Sequence, residues 1–357
     1  MTSLNRHIFA KLIASLSLLS ALSPLSFADS HHWTIEPRKL PPPAAASAQL
    51  RQSIASTAAP DVAMRLLPFK DSAAFDWNSL IAQRSATDDE TAERLVSALN
   101  VTVSQQMIEG VSVYQLTPEQ LDPQFNHRVF LYLHGGAYVF GGGLGGISEA
   151  AIIANTANIR VLSVDYRMPP GHPFPAAVDD VVAVYKHLLK STPAGAIAIG
   201  GTSAGAGLAL SSIHKFKAEN LQLPAAVYTG TPWADLTKTS DSLYTNEGID
   251  RVLVAYDGLL GAAALLYADD ADLKDPFISP VYGDFSGFPP VYMITGTRDM
   301  LLSDTARVHR KLRIAGVAAD LNIYEGMSHA GYAFNLASPE SQQTYGEMRA
   351  FLRRYLQ

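Results

Sequence analysis

Short apolar runs alternate with helix-like segments from residue 129 to the end of the chain, and this alternation is the strongest constraint on the fold. Continuous apolar runs of this length are typical of strands that are buried on both faces of a parallel sheet. The segments between them carry apolar residues on one face, as helices that pack on a sheet do. The alternation therefore predicts an α/β fold with a mostly parallel, doubly wound sheet. The predicted buried strands are VFLYL (129–133), VLSVD (161–165), AIAIG (196–200), AAVYT (225–229), VYMIT (291–295) and LNIYE (321–325), and the predicted helices are Ser148–Ala157, Ala176–Lys190, Gly205–Lys217, Asp304–Ala315 and Gln342–Tyr355.

The preceding region predicts both helices and strands. Residues 101–105 and 112–116 resemble an antiparallel pair of strands that would start the sheet. Before them, Ala74–Arg84 and Asp88–Leu99 predict two helices. Asp88 suits the N-cap of the second helix, because its carboxylate can accept a hydrogen bond from a free N–H of the first turn.

One interval interrupts the alternation. Residues 233–283 contain a helix-like stretch at 248–268 and no strand-like run, although they lie between two presumed neighbouring strands. An insertion of this length usually has a function, and a lid over a site is a common one.

The N-terminus has the pattern of a secretory signal peptide. Residues 1–28 begin with the basic side chains of Arg6 and Lys11, continue with an apolar stretch at 12–27, and end in a small-x-small sequence at Ala28. The apolar stretch is shorter than the ~20 residues that span a bilayer. We therefore expect cleavage, no stable membrane anchor, and export to the periplasm or the medium.

Composition excludes several classes of function. The chain has no Cys, which rules out disulfides, Cys nucleophiles and thiolate metal sites. Lys and Arg total 27 against 33 Asp and Glu, and no basic stripe suggests a nucleic-acid partner. The Pro- and Ala-rich residues 29–60 predict an extended lead-in with a short helix before the domain 61–357. Neither His31-His32 nor the acidic stretch 267–275 has the spacing of a metal site, so no metal is expected.

The segment GGTSAGAG (200–207) predicts a nucleophile at Ser203. It follows a predicted strand, opens a predicted helix and contains the pattern G-x-S-x-G. That pattern is typical of a sharp strand-to-helix turn, in which small neighbours leave room for an exposed serine. A serine at its free pKa is a weak nucleophile, so the hypothesis requires a base and an acid elsewhere.

Candidates for both follow later strands. Asp299 lies four residues past the strand 291–295, and His329 lies four residues past the strand 321–325. The chain order Ser, acid, His is that of the nucleophile-elbow hydrolases. Asp304 is a second candidate acid, but it better suits the N-cap of a helix, so Asp299 is preferred.

Two glycines after the first buried strand suggest an oxyanion hole. Gly135 and Gly136 follow that strand, where backbone N–H groups can point into a cavity. Ala204, directly after the candidate nucleophile, would add a third donor. We expect the adjacent His134 to hold this loop by hydrogen bonds and not to act as a base.

A dinucleotide-binding site is the main alternative. Gly141–Gly146 fits G-x-G-x-x-G, and Asp165 follows at a distance that suits an acidic residue on a ribose. However, the first of these glycines comes too late after its strand to form the tight turn of such a site. This alternative also gives Ser203, Asp299 and His329 no role.

Five segments in the same order resemble the hormone-sensitive-lipase-like (bacterial type IV) esterase family of α/β-hydrolases. The resemblance covers about residues 60–357. They are HGGAYVF (134–140), VDYRMPPGHPFPAAVDD (164–180), GTSAGAG (201–207), GTRDMLLSD (296–304) and EGMSHAGY (325–332).

The resemblance implies a serine hydrolase that cleaves carboxylic esters without a cofactor, and the signal-peptide pattern adds the expectation that it is secreted. It implies a triad of Ser203, Asp299 and His329, and a helical cap built from residues 61–99 and 233–283. The family commonly has Asp where this chain has Thr202. With this and other departures, the motifs of this chain look most similar to those of the acetyl-esterase and monoterpene ε-lactone hydrolase-like branch. The expected partner is therefore a small-molecule ester or lactone. A catalytically silent binding protein of the same fold is disfavoured, because every catalytic position is filled.

Three bulky residues are candidates for the substrate pocket. Tyr138 and Phe140 lie beside the oxyanion loop, and Trp233 opens the insertion. Ordinary core packing explains such residues equally well. The sequence does not indicate the oligomeric state.

Overall fold

An eight-stranded sheet is the centre of the structure. In the computed structural model, which describes residue 36, residues 39–58 and residues 75–356, its strand order is β1-β2-β4-β3-β5-β6-β7-β8. β2 runs antiparallel to its neighbours β1 and β4, and all pairs from β4 to β8 are parallel. The predicted mostly parallel sheet with an antiparallel start is therefore confirmed. The strands are β1 (Val101–Ile108), β2 (Val111–Pro118), β3 (Val129–Leu133), β4 (Arg160–Asp165), β5 (Ile197–Thr202), β6 (Ala226–Gly230), β7 (Val291–Gly296) and β8 (Ala319–Tyr324).

Helices cover both faces of this sheet. Because side chains alternate along a strand, Leu131 of β3 packs in a core with helices α4, α5 and α8, whereas Phe130 packs in a second core with α1, α3 and α9. The predicted doubly wound architecture is thus confirmed. The helices are α1 (Ala48–Ser56), α2 (Trp77–Ala98), α3 (Ser148–Ala157), α4 (Ala176–Leu188), α5 (Ala204–Ala218), α6 (Ser242–Thr245), α7 (Leu259–Ala268), α8 (Leu302–Ile314) and α9 (Pro339–Tyr355).

Helix α2 differs from the prediction of two helices. It runs without a break from Trp77 to Ala98, and its N-cap is Asp76, whose carboxylate accepts a hydrogen bond from Ser79 N at 3.1 Å. The predicted N-cap at Asp88 is wrong, because residues 84–88 contain no Gly or Pro that would stop the helix. Asp88 instead lies in the interior of α2.

The insertion at 233–283 contains no strand, as predicted, but its helix is shorter than expected. Only Leu259–Ala268 of the predicted stretch 248–268 is helical. Positive φ angles at Gly248, Val254 and Gly258 turn the chain repeatedly before that helix begins. The non-helical part lies over one end of the sheet and contributes to the site described below.

The N-terminal predictions are covered only in part. The predicted signal peptide 1–28 and His31-His32 lie outside the described residues, as do residues 59–74 of the lead-in and cap segment. The short helix expected in the lead-in is α1, and its N-cap Ser47 binds Glu340 of α9 through N at 2.7 Å and Oγ at 2.6 Å. Within the described residues, the helices are too short or too polar to cross a membrane.

Candidate active site

Ser203 lies in a strained turn between β5 and α5. Its φ of 61° and ψ of −123° are rare for a residue with a side chain. The flanking glycines are needed because β3 passes close by: a Cβ at Gly201 or at Gly205 would lie 2.0 Å from the carbonyl oxygen of Leu133. Packing of the sheet therefore requires the two glycines of G-x-S-x-G and fixes the turn that presents Ser203.

Asp299 and His329 meet beyond the ends of β7 and β8. The Nδ1 atom of His329 lies 3.0 Å from Oδ1 of Asp299, and both side chains are buried. The carboxylate of Asp299 also accepts hydrogen bonds from Thr295 Oγ1 at 2.8 Å and Leu301 N at 2.9 Å. These bonds hold the carboxylate in the orientation that the imidazole requires.

Asp299 changes the pKa of the His329 imidazole. Burial lowers the pKa of His329, but the charge of Asp299 and its hydrogen bond raise the pKa more, with a smaller contribution from Asp250. The net shift of the pKa of His329 is upward.

Asp304 has a different environment. Helix α8 begins at Leu302, so Asp304 lies within its first turn and is not the predicted N-cap. Its buried carboxylate accepts hydrogen bonds from Ala234 N and Asp235 N, both at 2.8 Å, and from Ser240 Oγ. Burial raises the pKa of Asp304 to about 7 in spite of these bonds. Asp304 thus anchors the start of the insertion, and its bonds are to the insertion and not to the imidazole.

The glycine loop after β3 lies against the nucleophile turn. A Cβ at Gly135 would lie 2.9 Å from the carbonyl oxygen of Thr202 and 3.4 Å from Cβ of Ser203. Gly136 has a φ of +111°, and a Cβ there would lie 2.2 Å from the carbonyl oxygen of Phe140. A larger residue at either position would therefore disturb the loop beside Ser203.

His134 stabilises this loop, as expected from the sequence. Its Nδ1 atom donates to the carbonyl oxygen of Gly135 at 2.8 Å, and its ring stacks on Tyr166 with 4.1 Å between centroids. Burial lowers the pKa of His134, which favours a neutral ring. The carbonyl of Gly136 accepts from Val139 N and Phe140 N.

A cavity of about 420 Å³ joins these groups. Ser203, His329, Gly135 and Gly136 line it on the side of the sheet. Helix α2 and the insertion contribute further lining residues, which are Arg84, Asp88, Thr91, Leu95, Val252, Leu253, Val254, Ala255, Asp257, Leu259 and Leu260.

The three bulky candidates for this pocket separate into two groups. Phe140 lines the cavity. Tyr138 and Trp233 are fully buried core residues, and Tyr138 stacks on Tyr267 with 3.9 Å between centroids. The structure thus places these two in the core, and neither lines the cavity. Ala204, the third predicted oxyanion donor, is the first residue of α5.

The glycine-rich loop 141–146 has structural partners of its own. Gly143 N donates to Oδ1 of Asp165 at 2.8 Å, and Gly145 N donates to Oδ1 of Asp89 in α2 at 2.7 Å. The acid that would bind a ribose therefore binds the loop itself, and α2 packs against Gly145 of the same loop. The dinucleotide alternative is inconsistent with this arrangement.

Glu149 is a residue of this region that the sequence reasoning missed. It is buried in α3, lines the cavity, and accepts hydrogen bonds from Tyr132 OH, Thr202 Oγ1 and Tyr228 OH, each at 2.9 Å. Tyr345 OH is a fourth donor at 3.4 Å. Burial raises the pKa of Glu149. The signal was present in the sequence, because Thr202 replaces the acid that the resembled family has beside its nucleophile, and Glu149 supplies a carboxylate there.

Asp250 was missed as well. This buried residue of the insertion accepts hydrogen bonds from Met300 N at 2.9 Å and from His329 N at 3.4 Å. Its surroundings contain no sequence motif, so local sequence could not reveal it. Among the described residues, the structure has no cluster of three or more His, Cys, Asp or Glu side chains that could hold a metal ion.

Comparisons with known proteins agree with this architecture. A family model described as alpha/beta hydrolase fold matches residues 130–333. An acetyl-hydrolase from Streptomyces hygroscopicus is 33% identical over 245 residues, which cover 68% of this chain and 81% of that protein. The crystal structure of an esterase, E25, is similar with a TM-score of 0.88 and 48% identity, and the match covers 92% of this chain and 100% of that one. An esterase from the bacterial hormone-sensitive lipase family matches with a TM-score of 0.67 and 31% identity over 78% of this chain and 96% of that one. This chain therefore belongs to the hormone-sensitive-lipase-like family of bacterial esterases, which have the α/β-hydrolase fold.

Proposed function

We propose that this carboxylesterase hydrolyses short-to-medium acyl esters or lactones through an acyl-enzyme on Ser203. The observation that carries the proposal is the buried His329–Asp299 pair, which opens onto the same cavity as the strained turn of Ser203. In this arrangement Asp299 engages Nδ1 of His329, so Nε2 is the imidazole atom that is left to exchange a proton with Ser203.

The reaction would proceed in two halves. Ser203 Oγ attacks the ester carbonyl while His329 takes the hydroxyl proton, and His329 then gives that proton to the departing alcohol. In the second half, water that loses a proton to His329 attacks the acyl carbonyl, and His329 returns that proton to Ser203 Oγ as the bond to the acyl group breaks. The N–H groups of Gly135, Gly136 and Ala204 would bind the oxyanion in both halves, since Gly135 and Gly136 lie in the loop that packs against Ser203.

The size of the cavity supports small substrates. A volume of about 420 Å³ is near the lower end of the ~300–1,000 Å³ that is usual for ligand sites. The resemblance of the motifs to acetyl-esterases and lactone hydrolases, and the similarity to an acetyl-hydrolase, point the same way. We therefore expect short esters and medium-ring lactones to react faster than long-chain lipids, without activation at an oil–water interface.

A panel of p-nitrophenyl esters with acyl chains from C2 to C16, together with a set of lactones, tests this proposal. The expected result is a maximum of kcat/KM at short-to-medium acyl length, with turnover abolished in the Ser203→Ala protein as the control for background hydrolysis. A preference for C16, or a jump in rate above the solubility limit of the substrate, would identify a lipase instead. Turnover of none of these esters and lactones would favour a silent binding protein.

Export is a separate part of the proposal. The basic, apolar and small-residue pattern of residues 1–28 supports cleavage after Ala28 and action in the periplasm or the medium. Expression of the full chain in a bacterium, followed by fractionation and mass spectrometry of the N-terminus, would test it. A cytoplasmic protein that retains residues 1–28 would contradict it.

A further inference from the structure

A second buried carboxylate lies behind the His329–Asp299 pair. Asp250 is fully buried in the insertion, and its two oxygen atoms accept four hydrogen bonds from backbone N–H groups. Oδ1 accepts from Val252 at 2.9 Å and Leu253 at 3.3 Å. Oδ2 accepts from Met300 at 2.9 Å and His329 at 3.4 Å.

These four donors belong to three functional parts of the site. Val252 and Leu253 line the cavity. Met300 directly follows Asp299, and His329 carries the imidazole itself. One carboxylate therefore joins the cavity wall, the acid loop and the histidine loop.

Neighbouring residues of the insertion bind the same two loops. The amide of Asn246 donates to the carbonyl oxygen of Asp299 at 2.8 Å, and Arg251 N donates to Oγ of Ser328 at 3.2 Å. The histidine–acid pair is thus held from the side of the insertion by Asp250 and by the residues on both sides of it.

We propose that Asp250 is a positioning residue for ester hydrolysis: it fixes the acid and histidine loops to the cavity wall and places a second negative charge behind the imidazole. The inference rests on the proposed roles of Asp299 and His329. It goes beyond them because it makes the insertion part of the apparatus that aligns the base.

The electrostatic part of the proposal concerns three carboxylates whose charges raise the pKa of the His329 imidazole. Burial lowers the pKa of His329, while Asp299, Asp250 and Glu149 raise it, in that order of strength. Burial and the neighbouring charge of Asp299 raise the pKa of Asp250, and His329 opposes that shift. Loss of the charge at position 250 should therefore lower the pH at which the imidazole becomes neutral.

Asp250→Asn tests the inference, with Asp304→Asn as the matched control. Both residues are buried carboxylates that accept backbone N–H bonds and anchor the insertion, but Asp304 binds Ala234 and Asp235 instead of the histidine loop. For Asp250→Asn we expect kcat on a soluble p-nitrophenyl ester to fall about 10- to 100-fold with a smaller change in KM, because small misalignments of reacting groups are costly. The acid limb of the pH profile, where kcat/KM rises as His329 loses its proton, should also move to lower pH. For Asp304→Asn, kcat should stay within about twofold of the wild-type value and the limb should not move, because the hydrogen bonds of Asp304 are to Ala234, Asp235 and Ser240 and not to the histidine loop.

Several results would overturn the inference. Asp250→Asn could keep the wild-type kcat, or a folded Asp250→Asn could lose activity without any shift of the acid limb, which would leave a structural role only.

If Asp250→Asn does not fold while Asp304→Asn does, Asp250→Glu is measured by the same readouts. It keeps the charge, so the inference requires a lowered kcat with the limb near its wild-type pH. Failure of both position-250 variants to fold would also decide for a structural role. An active Asp299→Asn protein, in contrast, would refute the proposed function itself, so the two failures are distinguishable.

Discussion

The nucleophile and the histidine–acid pair are held by different parts of the chain. Ser203 depends on the centre of the sheet: β3 requires the glycines around it, and the hydroxyl of Thr202, one residue before it, is hydrogen bonded to Glu149. His329 and Asp299 depend on the loops that follow two strands near the sheet edge and on the insertion, which contacts both loops through Asp250.

The chemistry of the two supports also differs. Around Glu149, four neutral hydroxyl groups donate to one buried carboxylate, so the support is a matter of hydrogen-bond geometry. Around His329, buried carboxylates act on a ring that must gain and lose a proton. We infer that the negative charge of the supporting carboxylates is essential around His329, and that the charge of Glu149 beside Ser203 is dispensable. The predictions below test this difference, from the largest expected effect to the smallest.

Removal of the nucleophile should have the largest effect. Ser203→Ala should lower kcat on any substrate of the wild-type protein by about 10⁴- to 10⁶-fold, because the acyl-enzyme cannot form. The melting temperature should not fall, since alanine fits the same turn. The control is Ser191→Ala at an exposed serine, which should match the wild type. A Ser203→Ala protein with a tenth of wild-type activity would remove Ser203 from the mechanism.

Asp299→Asn should come next. Asparagine can keep a hydrogen bond to His329, but it lacks the charge that stabilises the imidazolium and can hold the wrong tautomer, so kcat should fall about 10²- to 10⁴-fold. Asp304→Asn should be active. There the amide oxygen can accept both backbone N–H bonds, and the amide nitrogen can donate to Ser240. Equal kinetic losses in the two variants, measured on the same ester, would mean that the acid has been assigned wrongly.

The assignment of Asp299 illustrates what local sequence could predict. The eight strands, the nucleophile turn and the order of the three candidate residues follow from local runs and turns, because each is encoded within a few residues. The choice between Asp299 and Asp304 was reached by a wrong argument, since helix α8 begins at Leu302 and Asp304 is not its cap. The structure replaces that argument with the 3.0 Å contact between Asp299 and His329.

Contacts between distant segments were beyond sequence reasoning. Asp250 was assigned to a helix, but its carboxylate binds the N–H groups of Val252 and Leu253, which a continuous helix would pair with carbonyl oxygens four residues earlier. Its bonds to Met300 and His329 join segments that are 50 and 79 residues away. Tyr138 was left undecided between core and pocket for a related reason, since a bulky apolar residue that lines a cavity and one that is buried in the core look alike in sequence.

The pH dependence of the wild-type protein tests directly how the carboxylates around His329 act on its pKa. His329 must be neutral to accept a proton, and its folded-state pKa is raised, so kcat/KM should rise with pH through a midpoint above the free value of ~6.5. Below that midpoint the imidazolium predominates and activity is lost. A pH series on a soluble ester, with stability monitored at each pH, would measure the midpoint. A profile that is flat from pH 5 to 9, or a midpoint well below 6.5, would contradict a buried imidazole stabilised by carboxylates.

Glu149→Gln should have the smallest effect. Oε1 of glutamine can accept the hydrogen bonds of Thr202, Tyr228 and Tyr345, and its Nε2 can donate to the hydroxyl of Tyr132, which turns from donor to acceptor. Because the charge of Glu149 acts on the pKa of His329 less strongly than those of Asp299 and Asp250, its loss should cost little, and kcat should fall less than about tenfold. Glu149→Ala is the contrasting variant: it leaves buried hydroxyls without partners and should lower the free energy of unfolding by about 3 kcal/mol or more. If Glu149→Gln lost as much activity as Asp299→Asn, charge would be essential on both sides of the site, and the distinction between a geometric and an electrostatic support would fail.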